Sequence, residues 1–233
     1  MIRVHWLQHA AYQGLGSIEN WLERHEALVS GTRLFAGEPL PAVSACDWVI
    51  SLGGPMSVSD EAAHPWLAAE QAFLREAMAA GRVVIGLGLG AQLLAAALGA
   101  RVRKNPEPEI GWFPVQGEAT PPPADDPLTP FPAVSLVFHW HRETFKLPPG
   151  ARLIASSLAC RHQAFRMGPR VLGLQFHPEM TPAGAAALIA ESGDLPPGEF
   201  VQRPGEMLAD PARFGAANAL MDHWLDRLAS VYF

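Results

Sequence analysis

The residue types best placed to do chemistry lie in one glycine-rich stretch, Val83-Val-Ile-Gly-Leu-Gly-Leu-Gly-Ala-Gln92. It reads as a strand entering a tight turn that opens a helix over 93–98, and a helix N-terminus offers unpaired backbone N–H groups to an anionic atom. Two chemistries fit. Read as Gly86-x-Gly88-x-x-Ala91, the turn matches the dinucleotide fingerprint, which would seat a pyrophosphate on the helix. That fingerprint belongs at a first strand, and the next strand should end on an acidic residue, whereas Arg101-Val-Arg-Lys104 is basic. Read as a nucleophile elbow, the turn would hold a reactive side chain above a sheet, with the following N–H as an oxyanion donor. The geometry of an elbow fits, and the nucleophile is missing. A second glycine loop, Gly53-Gly54-Pro55, ends a strand-like run over 47–52 and forces a sharp turn, which makes it a candidate site. His139 and His141 share a strand face by the period of two, as metal ligands do, but no third ligand follows at a sensible spacing and no metal is expected.

Several segments together resemble one family. Gly-x-Cys-x-Gly-x-Gln after a buried strand is the elbow of class I glutamine amidotransferases, and residues 86–92 are similar to it, with Gly88 standing where the family carries cysteine. Gly173-Leu-Gln-Phe-His-Pro-Glu179 resembles the family's signature strand end, which implies His177 as general base and Glu179 as the residue that orients it. An imidazole beside a thiol favours the thiolate, and a carboxylate fixes the imidazole tautomer. Ser51-Leu-Gly-Gly-Pro-Met56 resembles the loop whose glycine amides, at Gly53 and Gly54, complete an oxyanion hole with the N–H of Leu89. Gln92 resembles the family's glutamine-binding amide. Trp140-His141-Arg142-Glu143 falls where the family has a Ser/Trp-His-Gly-Asp segment, implying substrate contacts from Trp140, His141 and Glu143 and departing from the pattern at Arg142 and Glu143. The resemblance runs from about residue 4 to 181 and is strongest to the stand-alone, guanylate-synthetase-like branch, to which Asn105-Pro-Glu-Pro-Glu-Ile-Gly-Trp112 is also similar.

The resemblance implies hydrolysis of the glutamine side-chain amide, or of another γ-glutamyl bond, through a Cys-His-Glu triad and a thioester, with no cofactor. Gly88 has no atom for the first step, so the chain is expected to be inactive or nearly so. Cys46 and Cys160 are not placed to substitute and read as small buried residues. The alternatives are a pseudoenzyme that binds a γ-glutamyl ligand and regulates, and the dinucleotide binder. No synthetase or acceptor segment is evident, so even a competent relative is expected either to act alone as an amidase or to need a separate synthetase or acceptor protein.

Such a site needs a sheet beneath it. Strands are predicted over 3–8, 32–36 (weakly), 47–52 and 83–87, with helices over about 17–28 and from Pro65 to Gly81, the alternation that calls for a parallel sheet with crossover helices. Shorter strands at 112–117, 135–139, 152–155, 161–166 and 170–176 suggest an antiparallel extension. Residues 120–127, Thr-Pro-Pro-Pro-Ala-Asp-Asp-Pro, read as a surface spacer. Thr181-Pro182 and Asp210-Pro211 read as helix caps, and the last helix should bury Ala217, Met221, Trp224, Leu225 and Leu228. The fold expected from the resemblance is a three-layer, flavodoxin-like α/β domain over 1–233 with a mixed, mostly parallel sheet and a helical extension from about 182.

Composition sets the outer bounds. Of 233 residues 49% are hydrophobic and 17% charged, enough apolar surface to offset ordering entropy. A net charge of -6 without any Lys/Arg run argues against nucleic acid or an anionic membrane as partner. Two cysteines and no signal-peptide pattern make the cytoplasm the expected location. Residues 83–100 are uncharged, but Gly86, Gly88, Gly90 and Gln92 fit a strand, turn and buried helix better than a membrane span.

Overall fold

Strand residues alternate between two apolar layers. In β3 (Trp48–Ser51) Trp48 and Ile50 join one core cluster and Val49 the other; in β4 (Val83–Leu87) Val83, Ile85 and Leu87 oppose Val84. Strands apolar on both faces need cover on both, which is the condition for a parallel sheet inside a three-layer fold. The computed structural model describes residues 1–118 and 132–232; the proline-rich segment at 120–127 lies outside the described residues.

One face of the sheet is covered by α1 (Ser17–Arg24) and α6 (Pro211–Tyr232), which contribute Ile18, Trp21, Met221, Trp224, Leu225 and Leu228 to its core. The other carries α2 (Trp66–Ala79) and α3 (Leu89–Ala97), with Leu67, Phe73, Leu74, Leu93 and Leu94. The nine strands run in the order β2-β1-β3-β4-β9-β8-β7-β5-β6. β2 (Leu28–Arg33), β1 (Arg3–Gln8), β3, β4 and β9 (Val171–Leu174) pair in parallel. β8 (Ala164–Met167), β7 (Arg152–Ser156), β5 (Val102–Gly117) and β6 (Val134–Phe145) continue the sheet antiparallel. Only β8 and β5 are reversed, so the sheet is mostly parallel in direction and flavodoxin-like in plan. Chain order reverses between β2-β1 and β1-β3, the switch point beside which α/β sheets open their ligand crevice.

Beyond the sheet, β5 and β6 pack with α4 (Pro182–Glu191), α5 (Pro204–Leu208) and the start of α6 around Trp112, Phe138, Met207 and Phe214. The caps are formed: Thr181 Oγ1 accepts the Gly184 N–H at 3.1 Å, and Asp210 Oδ1 accepts the Ala212 N–H at 3.0 Å. All five residues expected to be buried on the last helix are buried.

Several element boundaries differ from those predicted. The helix expected to reach Leu28 stops at Arg24, because Glu26 takes a positive φ of 49° and Leu28 begins β2, where it is 55% exposed. β2 is an edge strand with only Thr32 buried, so it lacked an apolar signal; the run predicted at 32–36 is its end plus a 3₁₀ turn, Leu34–Ala36. The helix after the glycine turn begins at Leu89 rather than 93, since the sharp reversal is confined to Gly88. β5 starts ten residues earlier than expected, with a register shift between Lys104 and Glu109 where Pro106 and Pro108 disguise the strand. Residues 83–100 are a strand, turn and buried helix, and among the described residues no helix is long and apolar enough to cross a membrane.

Candidate active site

β4 delivers the chain to Gly88, whose φ of 54° and ψ of -112° lie in a region L-residues rarely enter. The next glycine that matters is Gly90. A Cβ there would overlap the Ser51 carbonyl, and the bare backbone lets the Gly90 N–H donate to the Leu52 carbonyl at 2.9 Å. Helix α3 is thereby pinned to the end of β3, with the Leu89 N–H at its mouth and no acceptor inside the helix.

His177 enters from the end of β9. Its backbone N–H donates to the Phe138 carbonyl at 2.8 Å, tying it to β6. Nδ1–H donates to Glu179 Oε1 at 2.7 Å, which leaves Nε2 as the free nitrogen. That nitrogen and Cε1 both lie 2.9 Å from where a Cβ on Gly88 would stand, and Cε1 lies 3.0 Å from the corresponding point on Gly53. The His177 imidazole, the Glu179 carboxylate and the Gly88 turn therefore meet at one point, with the Gly53-Gly54 loop alongside.

A cavity of about 650 Å³ opens over this point. Gly54, Gly88, Leu89, Gln92, Trp140, His141, Glu143 and His177 all line it; Gly53 and Glu179 line a second cavity of about 390 Å³ that shares Tyr12, Gln13 and His177 with the first. Gln92 Nε2 donates to Gln175 Oε1 at 3.2 Å and to the Glu143 carbonyl at 3.4 Å. Glu143 Oε1 accepts from Ser57 Oγ at 3.1 Å, linking the β6 wall to the loop after β3. All ten residues singled out for the site thus meet around two adjoining cavities.

Beneath the Gly53-Gly54 loop lies a buried ion pair that no local pattern marks. His9 Nδ1–H donates to the Gly53 carbonyl at 3.0 Å and Nε2–H to Glu70 Oε2 at 2.8 Å, while Ser51 Oγ–H donates to Glu70 Oε1 at 2.7 Å. With both nitrogens donating, His9 is an imidazolium. Burial pushes its pKa down, but the Glu70 carboxylate and the carbonyls of Gly53 and Leu52 outweigh it and raise it. His9 also stacks on Trp66 at 5.4 Å. The pair fixes the loop's carbonyl side and so sets where its amides point.

The sequence profile described as "Glutamine amidotransferase class-I" matches residues 34–192. The chain belongs to this family. It is 34% identical over 217 residues to the glutamine amidotransferase-like protein YfeJ of Salmonella typhimurium, covering 89% of this chain and 90% of that one. It is 32% identical over 145 residues to one subunit of the glutamine-hydrolyzing GMP synthase of Saccharolobus solfataricus, covering 61% of this chain and 72% of that one. The crystal structure of a glutamine amido transferase from Methylobacillus flagellatus superposes with a TM-score of 0.91 at 30% identity, over 99% of this chain and 95% of that one.

Within this amidotransferase framework distant parts of the chain set the surroundings of several residues. No third side chain follows His139 and His141 at a ligand spacing along the chain, but in three dimensions Glu109 comes across the β5-β6 ladder, and its Oε2 lies 3.5 Å from His139 Nδ1 and 3.1 Å from His141 Nε2. The spacing rule looked only forward along the chain. Burial lowers the His139 pKa to about 4; burial alone would raise that of Glu109, but His139 and His141 hold it below its usual value. His9 serves the site loop directly through its bond to the Gly53 carbonyl. Cys46 and Cys160 are both buried, and burial raises both thiol pKa values, the opposite of what a nucleophile needs. Gln175 was within reach of sequence reasoning, since it lies inside the 173–179 motif and meets Gln92.

Proposed function

We propose that this amidotransferase-family chain binds glutamine or another γ-glutamyl compound in the larger cavity and does not turn it over at a significant rate. The observation that carries the reading is the placement of His177 Nε2, 2.9 Å from a Cβ position on Gly88, with Nδ1 held by Glu179. In a chain with cysteine at Gly88, the imidazole would take the thiol proton, sulfur would attack the side-chain carbonyl, and the oxyanion would rest on backbone N–H groups of Leu89 and the Gly53-Gly54 loop. Ammonia would leave with the proton returned by His177, and water would release glutamate. In this chain the ligand keeps the remaining contacts: Gln92 on the carboxamide side, and Trp140, His141 and Glu143 on the amino acid end, where the Glu143 carboxylate suits an ammonium group. What survives without the nucleophile is on the order of 10³–10⁴-fold acceleration over water.

A regulatory role follows from binding without turnover. A separate synthetase or acceptor protein is the partner class we favour, supported by the relative named as one subunit of a GMP synthase. The dinucleotide reading is less well supported, because the crevice above the glycine turn is occupied by the His177 imidazole. The test is calorimetric binding together with ammonia and glutamate release, using glutamine and a small panel of γ-glutamyl compounds, on the protein as it stands and on Gly88→Cys. Binding by both and turnover by Gly88→Cys alone is the expected outcome. Turnover by the unaltered chain at enzyme-like rates, or affinity for a dinucleotide and none for γ-glutamyl compounds, overturns the reading.

A further inference from the structure

We propose that Glu109, His139 and His141 form a binding site for a divalent transition-metal ion, zinc in the first instance, set into the β5-β6 ladder behind the ligand cavity. The inference is independent of what Gly88 does.

The three side chains are buried, at 0%, 0% and 5% relative exposure, and their candidate ligand atoms all lie within 4.8 Å of one another. Each imidazole is already committed on its outer side. His139 Nε2 meets the Phe113 carbonyl at 3.2 Å and His141 Nδ1 meets the Glu143 carbonyl at 3.1 Å, and a nitrogen facing a carbonyl oxygen must carry its hydrogen. In the neutral rings this leaves two lone pairs, His139 Nδ1 and His141 Nε2, both directed at a carboxylate. Lone pairs opposed to a carboxylate repel unless a cation lies between them. An outer N–H on a backbone carbonyl with the inner nitrogen free is how metal-bound histidines are usually oriented.

Unpaired atoms mark the same spot. His139 Nδ1, Glu109 Oε1 and Gln163 Oε1 are buried without a hydrogen-bond partner. Meanwhile Glu109 Oε2 is crowded by Ser157 Oγ at 3.1 Å and by Gln163 Nε2. A half-turn of the Gln163 amide exchanges its ends, placing Oε1 beside Glu109 Oε2 and His141 Nε2 as a fourth oxygen or nitrogen donor. Two imidazoles, a carboxylate and an amide oxygen form a set that zinc accepts in tetrahedral geometry. Tetrahedral donors about 2.0–2.2 Å from such an ion stand about 3.3–3.6 Å apart. Glu109 Oε2 already lies 3.5 Å and 3.1 Å from the two imidazole nitrogens, and the widest separation in the cluster, within 4.8 Å, closes by up to about an ångström on binding. Access is through His141, which lines the larger cavity. A bound ion would also steady the substrate wall, because His141 holds the Glu143 carbonyl to which Gln92 donates.

The competing arrangement is a second proton on His141, making a plain imidazolium-carboxylate pair with no ion. Full-length protein stripped with a chelator, then titrated with zinc chloride alone, separates the two. We expect one zinc per chain by elemental analysis, affinity weakened at least about 100-fold in Glu109→Gln and in His139→Ala, and a rise in Tm with zinc that both variants lose. Cobalt in place of zinc should give the visible absorption of a tetrahedral site. The proposal is overturned if the unaltered protein takes up no zinc, or if Glu109→Gln, shown folded by circular dichroism, binds it equally well. Two ¹⁵N-attached protons on the His141 ring at saturating zinc would also overturn it, by placing a proton where the ion must bind.

Discussion

Gly88 holds the turn against which the His177 ring stands. Its φ of 54° would strain any other residue, at a typical cost of about 1–3 kcal/mol, and a Cβ there stands only 2.9 Å from the His177 ring. Gly88→Cys is therefore expected to lower the unfolding free energy by about 1–3 kcal/mol while creating glutaminase activity. Denaturant titration and ammonia release read the two effects; a variant that folds normally, binds glutamine and stays inert would break the link between this elbow and catalysis. In that background Glu179→Gln should reduce kcat by about 10²–10⁴-fold, since a neutral amide no longer favours the imidazolium that forms as the thiol loses its proton. Unchanged kcat would show that Glu179 merely supports the fold. Both residues were legible because the motif is short: His177 and Glu179 are two positions apart, and their partnership needs only one turn of backbone.

Among the elements, those whose signals are local were read correctly. Thr181 followed by proline announced α4, and the Thr181 hydroxyl does accept the Gly184 N–H. Thr181→Ala is expected to cost about 1 kcal/mol, visible as a lowered denaturation midpoint; Thr181→Ser should retain most of the stability. No change on Thr181→Ala would mean that solvent replaces the cap. Elements misjudged in extent are those whose stability comes from neighbours. β2 exposes five of its six residues and exists because its backbone pairs with β1 from Arg3↔Leu28 to Gln8↔Arg33. β5 tolerates Pro106 and Pro108 because the ladder with β6 breaks register between Lys104 and Glu109 and resumes beyond. Backbone pairing leaves no trace in side-chain periodicity.

For the whole molecule, the buried His9-Glu70 pair couples global stability to pH. The His9 pKa is raised in the folded state, so its contribution is fully present below the unfolded value of about 6.5 and is lost as pH rises through the folded value. Unfolding free energy should therefore decline as pH rises from about 6.5 through the raised folded value, and Glu70→Gln, which removes the carboxylate facing the ring, should flatten that decline. The remaining groups around the ring, the Leu52 and Gly53 carbonyls and the Trp66 face, do not titrate. A flat profile for the unaltered protein would show that His9 is neutral in the fold. The consequence reaches the site, because the same ring holds the Gly53 carbonyl.

By itself the sequence carried the layered α/β plan in its alternation of elements, and, in motifs that resemble the amidotransferase family, the turn at Gly88, the His177-Glu179 pair, the glycine loop and the segment from Trp140 to Glu143. Each lies in contiguous residues, so that a strand period of two or a short motif is enough to find it. Only the tertiary structure decided that His9 meets Glu70, 61 positions away, and that Glu109 faces His139 and His141 across a ladder. Such contacts are made by strand order and register, which emerge from the packing of all the elements together and from no one segment of the chain.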